Sequence, residues 1–160
     1  KKGELLQRPG DKATKMYLVN SGLLRSYTLD ENGKEHIFMF APENWIIVDN
    51  VEVGSPAELF IGAIEDSEIE EFDKEVYFDQ NIPDKLAENK VRRLVRRISV
   101  LQKRIIMLMS VSALERFEHF KKTYPQLVQR IPQKMIASHL GITPEALSKV
   151  KSESVRNNRK

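Results

Sequence analysis

Cysteine is absent from this 160-residue sequence, and its absence excludes several classes of protein at once. The chain can form no disulfide scaffold and no thiolate zinc site, and it has neither a cysteine nucleophile nor cysteine ligands for an iron–sulfur cluster. Long apolar runs are missing as well, since no stretch approaches the roughly 20 residues of a membrane span, and no signal peptide is visible. We therefore expect a cytoplasmic protein with no membrane partner.

Charge is divided unevenly between the two halves of the chain. Residues 1–80 carry 8 Lys and Arg against 17 Asp and Glu, whereas residues 81–160 carry 18 against 6. An acidic half repels nucleic acid, while a basic half attracts phosphates at long range. The split therefore indicates two regions with different partners.

The first half has the pattern of β structure, with short apolar runs separated by turn residues. Asn32-Gly33 is a hairpin signal between two of these runs. In the run that follows it, alternation predicts Phe38 and Phe40 on one face with His36. The candidate strands are Met16–Val19, Leu23–Leu29, Glu35–Phe40, Trp45–Val48, Leu59–Ile64 and Ile69–Phe72. Several short strands with regular turns predict a sandwich, a barrel or a jelly roll.

From about Asp84 the apolar period becomes helical and predicts one helix of about 25 residues, about 37 Å long. Its apolar residues recur in steps of four and three, the pattern of helices that pair side by side. The seam for pairing is Val91, Leu94, Ile98, Leu101, Ile105 and Leu108. Burial within one chain is the alternative, but the seam is longer than one small domain would cover, which favours a homodimer.

Two further helical signals follow the long helix. Ser112 and Glu115 form a capping box, and the helix that they begin should end near Tyr124-Pro125. The run from Gln133 to Val150 then has the pattern of a helix-turn-helix: Gly141 suits a turn of positive φ, and Thr143 and Pro144 suit the N-cap and first position of a second helix. An ordinary helix pair with a glycine corner is the alternative.

The polar, basic tail from Ser152 to Lys160 is expected to be mobile.

This order of elements resembles the Crp/Fnr family of transcription regulators. Asn20–Arg25 with Asp30–Glu35 is similar to the family's early hairpin. Ile61–Ile69, which contains Ala63–Ser67, is similar to the strands after its ligand loop, and Arg130–Glu145 to its DNA-reading end. The resemblance implies an α+β chain with an N-terminal double-stranded β-helix, or jelly roll, like the cyclic nucleotide-binding domain. The domains are then the β-roll over 1–80, a dimerisation helix over 81–109 and a helix-turn-helix domain over 110–160.

The resemblance also indicates an effector pocket, and this sequence departs from the family there. Cyclic-nucleotide-binding members hold the ribose with a Glu and the cyclic phosphate with an Arg and backbone amides. The positions that match are Val48, Asp49, Glu58 and Leu59. A Glu in place of the Arg sets like charges together, which costs on the order of 4 kcal/mol at 4 Å and a dielectric of 20. We expect no binding of cyclic AMP in the family manner.

No other cofactor is expected. An iron–sulfur cluster lacks its cysteines, and a haem would need an exposed axial ligand, whereas His36, His119 and His139 are scattered over different elements. We predict no metal site, and the effector, if there is one, stays open.

The family resemblance implies that the second helix of the helix-turn-helix reads DNA. Glu145, Ser148 and Lys149 are the base-facing positions, and a carboxylate at Glu145 would equally suit the positive end of its helix. Phosphate contacts are assigned to Gln133, Lys134, Thr143 and Lys151. A homodimer would present two such helices roughly 34 Å apart to a pseudo-palindromic site on double-stranded DNA. The resemblance adds RNA polymerase as a partner, a further helix and strand before Lys1, and a β wing for which the residues after Val150 are too few and too polar.

Other interpretations remain open. A cupin-type enzyme would need clustered histidines in the β half, where only His36 lies, so we predict no enzyme. A ligand-binding or protein-interaction β-roll with a non-functional helix-turn-helix is the alternative function. The basic cluster of the long helix is either a solvated face or a contact for an anionic ligand or acidic partner; its members are Lys90, Arg92, Arg93, Arg96, Arg97, Lys103 and Arg104.

Overall fold

The computed structural model of the chain describes residues 1–78 and 84–157, and at 77–78, 84–91, 93–94, 96–97 and 157 it describes the backbone only. The chain divides into two compact units, Lys1–Asp79 and Gln80–Lys160, so the long helix belongs to the second unit. Across the described ranges, no helix is both long enough and apolar enough to span a membrane.

The first unit is a β-roll of two antiparallel sheets. Its strands are β1 (Leu5–Gln7), β2 (Lys15–Ser21), β3 (Leu24–Leu29), β4 (Glu35–Ala41), β5 (Ile46–Val48), β6 (Phe60–Ala63) and β7 (Glu68–Asp73), and a short helix α1 (Lys74–Phe78) follows. One sheet has the order β1-β6-β3-β4 and the other β5-β2-β7. All six predicted strands are present, and the sequence pattern missed only β1 and α1 among these elements.

The core of this unit draws on strands of both sheets. Leu24 and Ile61 come from the four-stranded sheet, and Tyr17, Val19 and Ile47 come from the three-stranded one. All five side chains are almost fully buried. Sheets of a sandwich bury their inner faces against each other in this way, which explains why the apolar runs are short and alternate.

A β-bulge in β4 overturns the predicted alternation of that strand. Ser26 pairs with Met39, but the next residue, Tyr27, pairs with Ile37, so Phe38 is an extra residue in the ladder. As a result Ile37 and Phe40 are both buried while His36 is exposed, although strict alternation would set Phe40 beside His36. A bulge shifts the face of every residue beyond it, and the sequence pattern gave no sign of it.

The second unit is helical. Its elements are α2 (Asp84–Ser110), α3 (Ala113–Thr123), a 3₁₀ turn (Pro125–Leu127), α4 (Gln133–Leu140) and α5 (Pro144–Asn157). The capping box is confirmed, because the Ser112 hydroxyl accepts the Glu115 N–H and the Glu115 carboxylate accepts the Ser112 N–H. The core of this unit includes Phe117, Phe120, Tyr124, Leu127, Ile131, Ile136, Ala137, Leu140, Leu147 and Val150.

The prediction of a mobile tail from Ser152 is wrong as far as Asn157, because those residues continue α5. Ser154 is buried, accepts a hydrogen bond from the Lys121 ammonium at 2.8 Å, and donates to the Glu118 carboxylate. Since Lys121 and Glu118 also form an ion pair at 2.8 Å, the last turns of α5 are held against α3. Residues 158–160 lie outside the described residues.

Candidate functional site

The α4–α5 pair is shaped by the residues at its turn. Helix α4 ends in a Schellman motif: the Ile142 N–H donates to the Ala137 carbonyl at 3.0 Å, and the Gly141 N–H donates to the Ser138 carbonyl at 3.2 Å. The motif needs a left-handed residue just past the helix, and Gly141 supplies it with φ +67°. The glycine therefore has the role that the sequence pattern predicted.

Helix α5 begins as its sequence predicts. The Thr143 hydroxyl accepts the Ala146 N–H at 3.2 Å, and Pro144 occupies the first helical position, where no N–H is needed. The pKa of the Glu145 carboxyl is lowered, first by its own backbone N–H and then by the Thr143 hydroxyl. Glu145 thus stabilises the positive end of α5 and is also exposed to solvent.

The residues predicted to contact DNA lie on the first turns of α4 and α5, with Lys151 farther along α5, and most of them are exposed. Lys151 is half-buried, since its ammonium donates to the Gln133 amide oxygen at 3.0 Å and so connects α5 to the start of α4. The exposed members of the set are Gln133, Lys134, Thr143, Glu145, Ser148 and Lys149. Polar and basic groups on the open first turns of a helix are the arrangement that contacts base edges and phosphates in a groove.

The long helix α2 carries exposed apolar side chains along the predicted seam. Ile98, Ile105 and Leu108 are exposed, Leu101 is half-buried, and the side chains of Val91 and Leu94 lie outside the described residues. Exposed apolar residues also lie off the seam, at Val95, Val100, Ile106 and Met109. An apolar helix face of this kind is typical of a surface that another chain or another element covers.

The basic cluster of α2 does not behave as one solvated face. Arg92 and Lys103 are exposed, as that interpretation predicts, but Arg104 is half-buried and donates to the His139 carbonyl at 3.2 Å. Burial lowers the pKa of its guanidinium. The side chains of Lys90, Arg93, Arg96 and Arg97 lie outside the described residues.

In the β-roll, hydrogen bonds to the Asp49 side chain connect three of the predicted pocket residues, Asp49, Glu58 and Leu59. This buried carboxylate follows β5, and its Oδ2 accepts the backbone N–H groups of Glu58 and Leu59, each at 2.8 Å. The Gln7 side chain of β1 adds a third hydrogen bond to Oδ2 at 3.2 Å and also donates to the Leu59 carbonyl. Val48 is buried, whereas the Glu58 side chain is exposed. The negative group at these amides is therefore Asp49 rather than Glu58.

A buried lysine lies near this cluster and was missed by the sequence reasoning. The Lys74 ammonium donates to the Val51 carbonyl at 3.3 Å. Burial lowers the pKa of Lys74, and the negative charge of Asp49 acts in the opposite direction. Gln7 and Lys74 lie far from Asp49 in sequence, so no local pattern could have pointed to them.

Residues 1–79 match the family model of the cyclic nucleotide-binding domain. The fumarate and nitrate reduction regulatory protein of Vibrio cholerae is 30% identical over 121 residues, which cover 74% of this chain and 48% of that protein. The resemblance to the Crp/Fnr family is confirmed. This Crp/Fnr-like chain spans about half the length of that curated relative.

Solved structures agree on the fold of this Crp/Fnr-like chain. FixK2 from Bradyrhizobium japonicum superposes with a TM-score of 0.83 at 20% identity, covering 99% of this chain and 83% of its own. TTHA1359, a CRP/FNR-family transcriptional regulator from Thermus thermophilus, has a TM-score of 0.72 at 19% identity, with coverages of 98% and 84%. The β-roll followed by helices is thus the fold that this chain shares with FixK2 and with the transcriptional regulator TTHA1359.

Proposed function

We propose that this chain is a DNA-binding transcription regulator of the Crp/Fnr type, not an enzyme, and that it reads a pseudo-palindromic site as a homodimer. RNA polymerase is its proposed partner at the promoter. The observation that carries the proposal is the α4–α5 pair, in which a Schellman turn and a capped second helix leave Glu145, Ser148 and Lys149 exposed on the first turns of α5. Lys149 would donate to guanine, and Glu145 would accept from cytosine.

Charge supports the same assignment. The second half of the chain has 18 basic against 6 acidic residues, and Lys134 of α4 and Lys149 of α5 are both exposed. Such a surface binds duplex DNA without sequence preference and gains specificity from the few side chains that reach base edges.

The exposed apolar seam of α2 supports the homodimer. Ile98, Ile105 and Leu108 recur at the spacing of a coiled coil, and solvent exposure of three such residues on one face is costly unless a partner covers it. A second copy of the same helix matches this seam because its own apolar residues have the same spacing. The dimer then offers two α5 helices to neighbouring major grooves.

We further propose that the β-roll does not bind cyclic AMP in the family manner. Glu58 and Leu59 match the positions of the family's Arg-Ser pair at the cyclic phosphate, and here the backbone N–H groups of both donate to the Asp49 carboxylate. A phosphate would have to displace or approach a buried negative charge, which is unfavourable. Calorimetric titration with cyclic AMP should give no heat of binding, and micromolar affinity would contradict this proposal. We likewise expect no haem and no iron–sulfur cluster.

The function is tested by selecting bound fragments from random duplex DNA with the purified chain. We expect an enriched sequence with two inverted half-sites about one helical turn apart, and a salt-dependent mobility shift on that sequence. Recovery of no enriched sequence, together with no mobility shift in dilute buffer, would favour the alternative of a ligand-binding or protein-interaction β-roll with a non-functional helix pair.

A further inference from the structure

The end of α4 is capped by two arginines as well as by its own turn. A helix leaves its last four carbonyls without intrahelical partners. The Schellman motif satisfies those of Ala137 and Ser138. The other two belong to His139 and Leu140, and they accept hydrogen bonds from Arg104 and Arg116 respectively. The full set of terminal carbonyls is therefore paired.

These arginines come from two different helices. Arg104 lies on α2, next to Ile105 of the proposed dimer seam, and Arg116 lies on α3. Their donors reach the α4 carbonyls at 3.2 Å for Arg104 and 2.8 Å for Arg116. Cations at a helix C-terminus also interact favourably with the negative end of the helix dipole. The turn before α5 is thus attached to both preceding helices by charged donors.

Arg104 makes a second contact that fixes its orientation. Its Nη1 lies 3.3 Å from His139 Nε2, and because a guanidinium can only donate, Nε2 is the acceptor. The His139 ring in turn contacts the rings of Phe120 and Tyr124, with centroids 5.6 and 5.8 Å away. A lysine, with one compact ammonium, cannot reproduce this planar two-point contact.

The turn also lies beside α2. A Cβ added at Gly141 would lie 3.5 Å from Leu108 Cδ2 and 3.7 Å from Arg116 Nη1. Leu108 is a residue of the proposed seam, so the helix that would form the dimer lies beside the turn that precedes the proposed reading helix. The polar and apolar contacts therefore join the same two elements.

We propose that Arg104 and Arg116 are positioning residues, which hold the turn before α5 at a fixed orientation to the α2 seam and so set the spacing between the two reading helices of a dimer. This inference rests on the proposed function. Arg104 has the larger part, since it connects α2 to α4 by hydrogen bonds to both the backbone and the side chain of His139. Neither arginine would touch a base, and each acts through the helix that it caps.

The test compares Arg104→Met with Lys103→Met in the full chain. Lys103 is the exposed neighbour on α2, so both variants lose one positive charge from the same turn. Each is titrated with duplexes that carry the selected half-sites at the native spacing, or with one or two added base pairs, and with a duplex that carries a single half-site.

For Arg104→Met we expect unchanged single-half-site binding, but a loss of about tenfold in the preference for native over altered spacing, as the loss of a charged hydrogen bond implies. Lys103→Met should keep that preference, and Arg104→Lys should be intermediate. A role confined to stability would lower binding to all the duplexes equally. An Arg104→Met variant with the spacing preference of Lys103→Met would overturn the inference.

Amide hydrogen exchange tests the role of the two arginines without DNA, so it can fail or succeed independently of the proposed function. Exchange at Gly141 and Ile142 should accelerate about tenfold in Arg104→Met and in Arg116→Met but not in Lys103→Met, while residues of the β-roll are unchanged. If the unaltered chain bound no duplex, the proposed function would fail. Exchange alone would then decide whether the arginines hold the turn, and unchanged rates at both amides would reject that role.

Discussion

The Asp49 carboxylate accepts the backbone N–H of Leu59 at 2.8 Å, and the same oxygen accepts the N–H of Glu58. One buried side chain thereby fixes the segment that leads into β6, the strand that pairs with both β1 and β3. The contact links the end of β5 in one sheet to the beginning of a strand in the other. It therefore serves the fold whether or not the β-roll binds an effector.

Replacing Asp49 should destabilise the β-roll. For Asp49→Ala we expect the free energy of unfolding to fall by about 2–4 kcal/mol, because two backbone donors and the Gln7 amide lose a charged acceptor. Asp49→Asn keeps one carbonyl acceptor and should lose about half as much. Urea unfolding followed by the fluorescence of Trp45, the single tryptophan of the chain, measures the change.

The exposed Glu58 provides the control for that experiment. Glu58→Gln alters a side chain at the same segment but leaves its backbone N–H in place, so its stability should stay within about 0.5 kcal/mol of the unaltered chain. An Asp49→Ala variant as stable as Glu58→Gln would contradict the assigned role of the carboxylate.

The capping box of α3 should make stability depend on acidity. The pKa of Glu115 is lowered by hydrogen bonds from the side chain and then the backbone of Ser112. The folded pKa of Glu115 lies below the value of 4.5 for a free glutamate. The contribution of Glu115 to the free energy of unfolding is therefore complete above about pH 4.5 and is lost as the pH falls through the folded pKa. Thermal unfolding between about pH 6 and pH 3 should show a smaller drop in Tm for Glu115→Gln than for the unaltered chain.

Two further variants sharpen this prediction. Ser112→Ala removes the N-cap hydroxyl and should cost about 1 kcal/mol near neutral pH. Glu153→Gln alters an exposed carboxylate of α5 and should leave the difference in Tm between the two pH values close to that of the unaltered chain. An equal effect of Glu115→Gln and Glu153→Gln would show that the capping box has no special part in the acid response.

Replacing Lys149 should weaken specific DNA binding more than non-specific DNA binding. For Lys149→Ala we expect a loss of about tenfold or more on the selected site, since a base contact is worth about 1–3 kcal/mol, and a much smaller loss on random duplex. Fluorescence anisotropy at a fixed salt concentration measures both. The control is Lys122→Ala, which removes an exposed charge from α3. Equal losses on the two duplexes would reject base reading by Lys149.

A charge in the seam of α2 should separate the subunits. For Ile98→Asp we expect a monomer in sedimentation velocity, because pairing would bury an unpaired carboxylate. The side chain is 63% exposed in the single chain, so folding of the monomer should not suffer. Val100→Asp is the matched control, since Val100 is 59% exposed but lies off the seam. A dimer that survives Ile98→Asp would exclude this seam as the interface.

Local signals in the sequence were enough for most elements. Apolar alternation found six strands, the Ser112–Glu115 capping box gave the start of α3, and Gly141 with Thr143 gave the turn before α5. Each of these signals lies within a few residues of the structure that it determines. For this reason the order of elements and the exposed start of α5 could be predicted from the chain alone.

The rest depends on contacts between distant residues. Strand β1 has three residues and is too short for a pattern, and the bulge at Phe38 becomes visible only when β3 and β4 are paired. Arg104 looked like part of a solvated basic face because nothing near it in sequence reveals that His139 packs beside it. The polar end of α5 was predicted to be mobile because the partners of Ser154, Lys121 and Glu118, lie on α3 and are distant in sequence.

The contacts of Ser154 with α3 hold the C-terminal part of α5, so a small tilt of the helix about this point moves its N-terminal end by a larger distance. Glu145 and Ser154 are nine positions apart, which is about 14 Å along a helix axis. A tilt of α5 by about 10° about Ser154 would displace its first turn by about 2 Å, which is a larger displacement than a hydrogen bond to a base edge tolerates. If α5 reads DNA as proposed, small changes where α5 meets α3 are magnified at its first turn, and substitutions far from any nucleotide would alter which sequence is preferred.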